Sequence, residues 1–401
     1  MKNISKRYAM KSVLVIGGGF GGLEAAIYLR KYNYEVTLVS DRDYFFIYPT
    51  SIWIPTREKE FDEICIDLKE LQSVHGFKLI VDALTHIDAK QNRYTLASGE
   101  VLESYDHVVL AMGASKLKHD GIEHTLSICA EPEQSLKLRD ALDALIEKRS
   151  GKICFGFGGN PKDSSSVRGG PAFELLFNTH NLLKKKGIRD NFELSFFAPM
   201  SEPGARMGEK ALSMMNNSFK RLAIKEYFGK KIKSFKEDAI IFEDDSKLTS
   251  DLTMFIAAGS GHEVVEMSEL PTNEAGFVKI DEYCRVMFDE MPRNIYAIGD
   301  IAALEGPSWK AKQGHLAERM ARNVAFNISQ ADKGDTNLKS YKKHINILCL
   351  MDAGDGASLI YRDDTKAYMI PLPFIGHYMK KWWGVYAKLS KLGKIPKIFT
   401  S

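Results

Sequence analysis

Ser12-Val-Leu-Val-Ile16 runs straight into Gly17-Gly-Gly-Phe-Gly-Gly22. Leu23 to Lys31 then reads as a helix, and Tyr34-Glu-Val-Thr-Leu-Val39 is a second apolar run. Two strands joined through a helix lie parallel with a right-handed crossover, so this stretch predicts a βαβ unit of a doubly wound sheet. Gly17, Gly19 and Gly22 have the spacing G-x-G-x-x-G. The first glycine permits the tight turn, and the second lets a pyrophosphate approach the backbone. The third lets helix pack on strand, while the helix N-terminus favours the phosphate charge. The stretch therefore predicts a bound dinucleotide. An acidic residue at the end of the second strand usually holds its ribose. Ser40 stands there with Asp41 next, and either side chain suits a hydroxyl.

Asp106-His-Val-Val-Leu-Ala-Met-Gly113 and Asn294-Ile-Tyr-Ala-Ile-Gly-Asp300 are further apolar strands running into glycine. Between them, Lys152-Ile-Cys-Phe-Gly156 opens a second strand–glycine pattern, with a helix from near Pro171 to Lys186 and a strand from Phe192 to Ala198. The expected fold is α/β, with two Rossmann-like domains, the second inserted in the first. The first takes residues 1–117 and 285–340, and the second 118–284. A C-terminal region, 341–401, carries strands near Ile345–Leu350 and Ala357–Tyr361 and an amphipathic helix from about Ile375 to Leu392.

The second glycine turn, Gly156-Phe-Gly-Gly-Asn-Pro161, has proline where the third glycine belongs. Proline offers no N–H to a phosphate and fixes the backbone. Lys162 to Gly170 then intervene before the helix, which disfavours NADH at this turn.

The chain has 401 residues and a net charge of +3, too near zero for a dedicated nucleic-acid binder. The charge is unevenly spread. From Lys366 onward there are seven Lys and no Asp, Glu or Arg, which leaves the rest of the chain at −4. In the last helix Tyr378, Trp382, Val385, Tyr386, Leu389 and Leu392 form an apolar stripe among Lys380, Lys381, Lys388, Lys391 and Lys394. Aromatic residues with lysines suit an anionic membrane surface, and packing against the body or a second copy is the other reading. Five Cys with no CxxC point away from both a disulfide scaffold and a metal site. With no transmembrane run and no signal peptide, the expected location is cytoplasmic and peripheral to a membrane.

Leu110-Ala-Met-Gly113 and Tyr296-Ala-Ile-Gly-Asp300 resemble the second and third fingerprints of two-dinucleotide-domain flavoproteins. That resemblance implies FAD, with Gly113, Gly299 and Asp300 beside it and Asp300 at its ribityl–phosphate region. Alone, Asp300 also fits a helix N-cap ahead of Ile301.

Several segments together resemble the sulfide:quinone oxidoreductases of the pyridine nucleotide-disulfide oxidoreductase family. They are Ser40 to Thr50 with Pro49, Ser127-Ile-Cys129 with Glu131-Pro132, and Gly170-Pro-Ala-Phe-Glu174. Lys312-Gln-Gly-His315 and Leu348-Cys349-Leu350 with Gly354-Asp355-Gly356 complete the set. The resemblance implies electron flow from sulfide or a small thiol through FAD to a membrane quinone. It implies Cys349 and Cys129 as reactive thiols, Glu174 as a proton-transfer carboxylate and Lys312 as the cation near the flavin. For Glu174 a charge on the helix's first turn is the plainer reading, and Cys154, inside an apolar strand, reads as inert core. One family cysteine is missing: Arg168 stands at its position, below Ser164, Ser165 and Ser166. If Cys349 reacts, its partner is Cys129, a small-molecule thiol, or none. Arg168 there brings a fixed positive charge, suited to lowering a thiolate pKa or binding an anion. Two other functions stay open, a type II NADH:quinone dehydrogenase and a flavin-binding redox sensor without turnover. So does a homo-oligomer.

Overall fold

The computed structural model describes residues 10–289 and 294–398. Ser12–Ile16 is apolar on both faces, so it needs cover on both sides, and it forms the central strand of a five-stranded parallel sheet. Glu35–Ser40 and then Lys78–Val81 lie on one side of it, and His107–Leu110 and then Ile295–Ala297 on the other. A second parallel sheet has the order Ile224–Phe228, Phe192–Ala198, Gly151–Phe157, Leu252–Ile256. All four of its strands fall between the fourth and fifth strands of the first sheet, and Cys154 is buried in one of them.

The first helix, Phe20–Lys31, packs against Gly314–Ala331, whose Leu316, Met320, Val324 and Ile328 recur every four residues and are buried. The chain then forms a three-stranded antiparallel meander, Ile347–Asp352, Gly356–Arg362 and Ala367–Pro373. The third of these strands has no expectation behind it, because Pro371 and Pro373 disguise it; prolines are tolerated on such an edge.

The terminal helix, Ile375–Lys391, follows and inverts the expected polarity. The favoured reading above gave its lysines to an anionic membrane surface, with packing on the body as the other; five of the seven tail lysines have carboxylate partners on the body. Lys380 pairs with Glu174, Lys381 with Glu58 and Lys394 with Glu70. Lys391 reaches Glu318 at 2.8 Å and Glu24 at 3.2 Å, and Lys397 reaches the same two carboxylates at 2.9 and 2.7 Å. Arg322 adds a third cation 2.7 Å from Glu24. Burial alone would raise Glu24, but Lys391, Lys397 and Arg322 together bring it down to about 2. The physical reason for the correction is the −4 body: its acids lie beneath the tail. What the helix turns outward is Ile375, Tyr378, Met379, Trp382 (66% exposed) and Val385, beside Phe374 (77%). Leu392, counted above in the outer stripe, is buried.

His377 joins this clamp. Its Nδ1 lies 2.8 Å from the buried Asp352 carboxylate and its Nε2 3.0 Å from Glu58. Burial would lower its pKa, but these two carboxylates raise it to about 9. A raised pKa stabilises the docked helix fully below the free value near 6.5, and that stability is lost as pH rises through 9. Protection of the terminal helix from hydrogen exchange is therefore expected to fall between pH 7 and 10. The whole effect is bounded at roughly 3 kcal/mol and is absent in His377→Gln.

Candidate functional site

The cleft between the sheets has a volume of about 770 Å³. Its floor is the glycine turn, where the structure gives each glycine a different duty. Gly17 has φ +113°, and a Cβ there would meet the Ala111 carbonyl oxygen at 2.4 Å. A Cβ on Gly22 would lie 1.8 Å from the Gly17 carbonyl oxygen. At Gly19 a Cβ would touch nothing within 4 Å, since that position faces the open cleft. Gly19 precedes the first helix, whose N-terminal N–H groups attract an anion.

Pro49, Gly113, Gly299 and Asp300 line the same cleft. Gly113 likewise has nothing within 4 Å of its missing Cβ. The two ribose candidates separate. Asp41 is on the wall, paired with Arg42 at 3.2 Å. Ser40 is buried beneath Gly18 and donates its hydroxyl to the Arg42 carbonyl, so it does not reach the cleft. Asp300 makes no helix cap; its carboxylate pairs with Arg168, which also lines the cleft. Lys312 stands behind the wall. Its ammonium donates to the carbonyls of Asp300 and Ala302 and lies 3.4 Å over the Phe277 ring. Burial, aided by repulsion from Arg168 and Lys310, pulls it down to about 7 against the attraction of Asp163.

Cys129 lies on the wall, and all five cysteines are free. Arg168 was expected to favour a thiolate. It does act on Cys129 in that sense, as does Lys116, but burial outweighs both and the thiol is raised. Cys349 sits on Ile347–Asp352, where burial and the nearby Glu174 charge push it up to about 12. Both sulfurs are thus held as thiols at neutral pH. Glu174 acts on both. It is buried and raised by that burial, bonded to Lys380 and accepting from the Asp352 N–H at 2.8 Å. It lies under the terminal helix, one turn inside Gly170–Lys185. Asp352, His377 and Lys116 had no assigned role in the sequence reading, and Lys380 was read there only as one of the tail lysines. The acid-free lysine run was the available signal, read outward when much of it faces inward.

The second glycine turn has no comparable cradle. In the first sheet the strand ends at Ile16 and the helix starts at Phe20; here the strand ends at Phe157 and the helix starts at Gly170. The intervening loop is packed on its neighbours: the Ser165 carbonyl accepts from the Lys312 N–H at 3.0 Å, and Asn160 donates to the Gly259 carbonyl.

Residues 11–150 and 191–322 match the family model for pyridine nucleotide-disulphide oxidoreductases. The chain belongs to that family. It is an FAD-dependent oxidoreductase, and the glycine cradle and open cleft suit that cofactor. The chain is 28% identical to the sulfide-quinone reductase of Aquifex aeolicus over 88% of its length and 84% of the relative's. It is 23% identical to the type II NADH:quinone oxidoreductase of Haemophilus influenzae, over 83% of each chain. The solved A. aeolicus sulfide:quinone oxidoreductase superposes with a TM-score of 0.84 at 24% identity, covering 96% of this chain and 92% of that one. NDH2 of Plasmodium falciparum gives 0.73 at 13% identity, over 95% of each.

Gly19 separates the fold from the cofactor. Gly19→Ala has room within the protein, so its circular dichroism and thermal midpoint are expected to match the parent's. Its methyl group would meet the pyrophosphate, so the bound flavin read at 450 nm is expected to fall at least about tenfold at limiting FAD.

Proposed function

We propose that this enzyme passes electrons from sulfide or a small thiol to a membrane quinone. FAD, when bound, supplies a two-electron carrier between the two. The observation that carries the reading is the contrast between the glycine turns, one with a helix start immediately behind it and one separated from its helix by a packed loop with Pro161. A nicotinamide donor depends on the second turn, and a small sulfur donor does not.

In this reading Cys129 and Arg168 face the donor from the cleft wall. Glu174, paired with Lys380 beneath the terminal helix, holds a proton for the quinone. Cys349, beside that pair, stays protonated until a partner draws its proton away. Asp300 and Asp41 orient the cofactor, and Lys312 braces the backbone at Asp300 and Ala302. The quinone approaches from the apolar outer face of the terminal helix, which also seats the enzyme on the bilayer. No helix among the described residues is long and apolar enough to cross a membrane.

The second reading, an NADH:quinone oxidoreductase, draws on the relatives that bear that name. Anaerobic mixing separates the two. Sulfide is expected to bleach the flavin band and NADH to leave it unchanged; bleaching by NADH alone would overturn the proposal.

Seating on the bilayer has its own test. Because the tail lysines are held by internal carboxylates, cosedimentation with neutral phosphatidylcholine vesicles is expected to match that with anionic vesicles within about threefold, and to resist 0.5 M salt. Trp382→Glu is expected to weaken it at least about tenfold, since burying a charge in the interface is unfavourable.

A further inference from the structure

The cleft wall carries a pair of cations in addition to the glycine turn. Lys116 and Arg168 both line it, with Cys129 on the same wall. Lys116 belongs to a two-residue strand, Ser115–Lys116, paired with Gly259–Ser260, and Arg168 ends the loop ahead of Gly170–Lys185. Arg168 has Asp300 as its carboxylate, and its charge also acts on the Cys129 thiol. Lys116 has no ion-pair partner among the described residues. Burial and repulsion from Arg168 bring its ammonium down to about 8, opposed only by Cys129. A third cation, Arg206, stands behind, donating to the carbonyls of Ser164 and Val167. Burial and then Arg168 draw it down to about 10.

Of the carboxylates on the cleft wall, Asp300 answers Arg168 and none answers Lys116. Asp41 is paired with Arg42, Glu263 lies 3.9 Å from Lys118, and neither they nor Asp82 nor Glu131 act on Lys116. The cofactor's phosphates are drawn elsewhere, to the glycine turn and helix start of the first sheet. With Asp300 taken up by Arg168, Lys116 is left as a partly desolvated charge facing the cleft, which is unfavourable until an anion meets it.

We propose that Lys116 and Arg168 form a subsite for an anionic group of the electron donor, so that the preferred donor is a sulfur compound carrying negative charge beside its reacting sulfur, such as a carboxylate-bearing thiol or thiosulfate. The proposal rests on the sulfur-donor reading and narrows it. It also explains why arginine occupies position 168: with both protein thiols protonated, the charge is brought by the donor. Two thiol donors join through one new S–S bond and release two protons; two thiosulfates join through the same kind of bond to give tetrathionate without releasing a proton, and the quinone's two protons then come from water. The two electrons leave through the flavin, and the quinone takes up two electrons and two protons to become the quinol.

The test is anaerobic flavin bleaching of the FAD-loaded enzyme by 3-mercaptopropionate, thiosulfate and 2-mercaptoethanol, with sulfide as reference. 3-Mercaptopropionate and 2-mercaptoethanol are similar in size and differ in charge. Half-saturation by 3-mercaptopropionate is expected at a concentration at least about tenfold lower than by 2-mercaptoethanol. Lys116→Gln is expected to bring that ratio close to one, and Lys116→Arg to restore it, which a merely structural lysine would not do. Bleaching by thiosulfate at similarly low concentration extends the class to inorganic sulfur oxyanions; bleaching by the carboxylate thiol alone confines it to organic donors, and both support the subsite. Equal half-saturation by the charged and neutral thiols, or a ratio that Lys116→Gln leaves intact, overturns it. Failure of sulfide itself to bleach the flavin overturns the sulfur-donor reading instead.

Discussion

Two carboxylates, Glu24 and Glu318, and three cations, Lys391, Lys397 and Arg322, share one buried cluster between the first helix, the helix Gly314–Ala331 and the chain's tail. Removing either carboxylate strands positive charge away from water, at a cost of about 3–5 kcal/mol. That constraint fixes the orientation of the terminal helix. With its lysines held inward, the aromatic and aliphatic side chains of Ile375–Lys391 have no face left but the outer one. The apolar surface thus follows from ion pairing beneath it.

The same clamp links the tail to the cleft. Lys380 meets Glu174, and His377 meets Asp352, which also accepts from the Trp53 indole N–H at 3.1 Å. Trp53 ends the turn Tyr48–Trp53, which carries the cleft residue Pro49. The terminal helix is therefore tied through charge contacts to the turn that borders the cleft.

Much of this could be read along the chain. The strand, glycine turn and helix at Ser12–Lys31 announced the parallel sheet, because period and glycine spacing are local signals. The interruption at Pro161 was local as well, and the loop from Gly158 to Gly169 followed from it. Charge partners were not local. Lys391 and Glu24 are separated by 367 positions, and nothing in their own neighbourhoods distinguishes a lysine bound for solvent from one bound for a buried carboxylate. Ser40 and Asp41 were likewise inseparable until the backbone turned one under Gly18 and the other to the cleft. The thiols were legible as residues but not as acids, since their protonation depends on burial and on the charge of Glu174.

Glu24 lies in the helix that begins at the dinucleotide turn; Lys391 is made 367 residues after it, and Lys397 later still. During synthesis on the ribosome the first sheet can assemble long before its buried carboxylate has these two counter-charges. Until the tail emerges, that helix must keep Glu24 protonated, hydrated or leaning on Arg322. Synthesis through residue 397 and consolidation of the cofactor-binding helix are thus coupled, and a polypeptide stopped short of residue 391 leaves Glu24 without these two lysines.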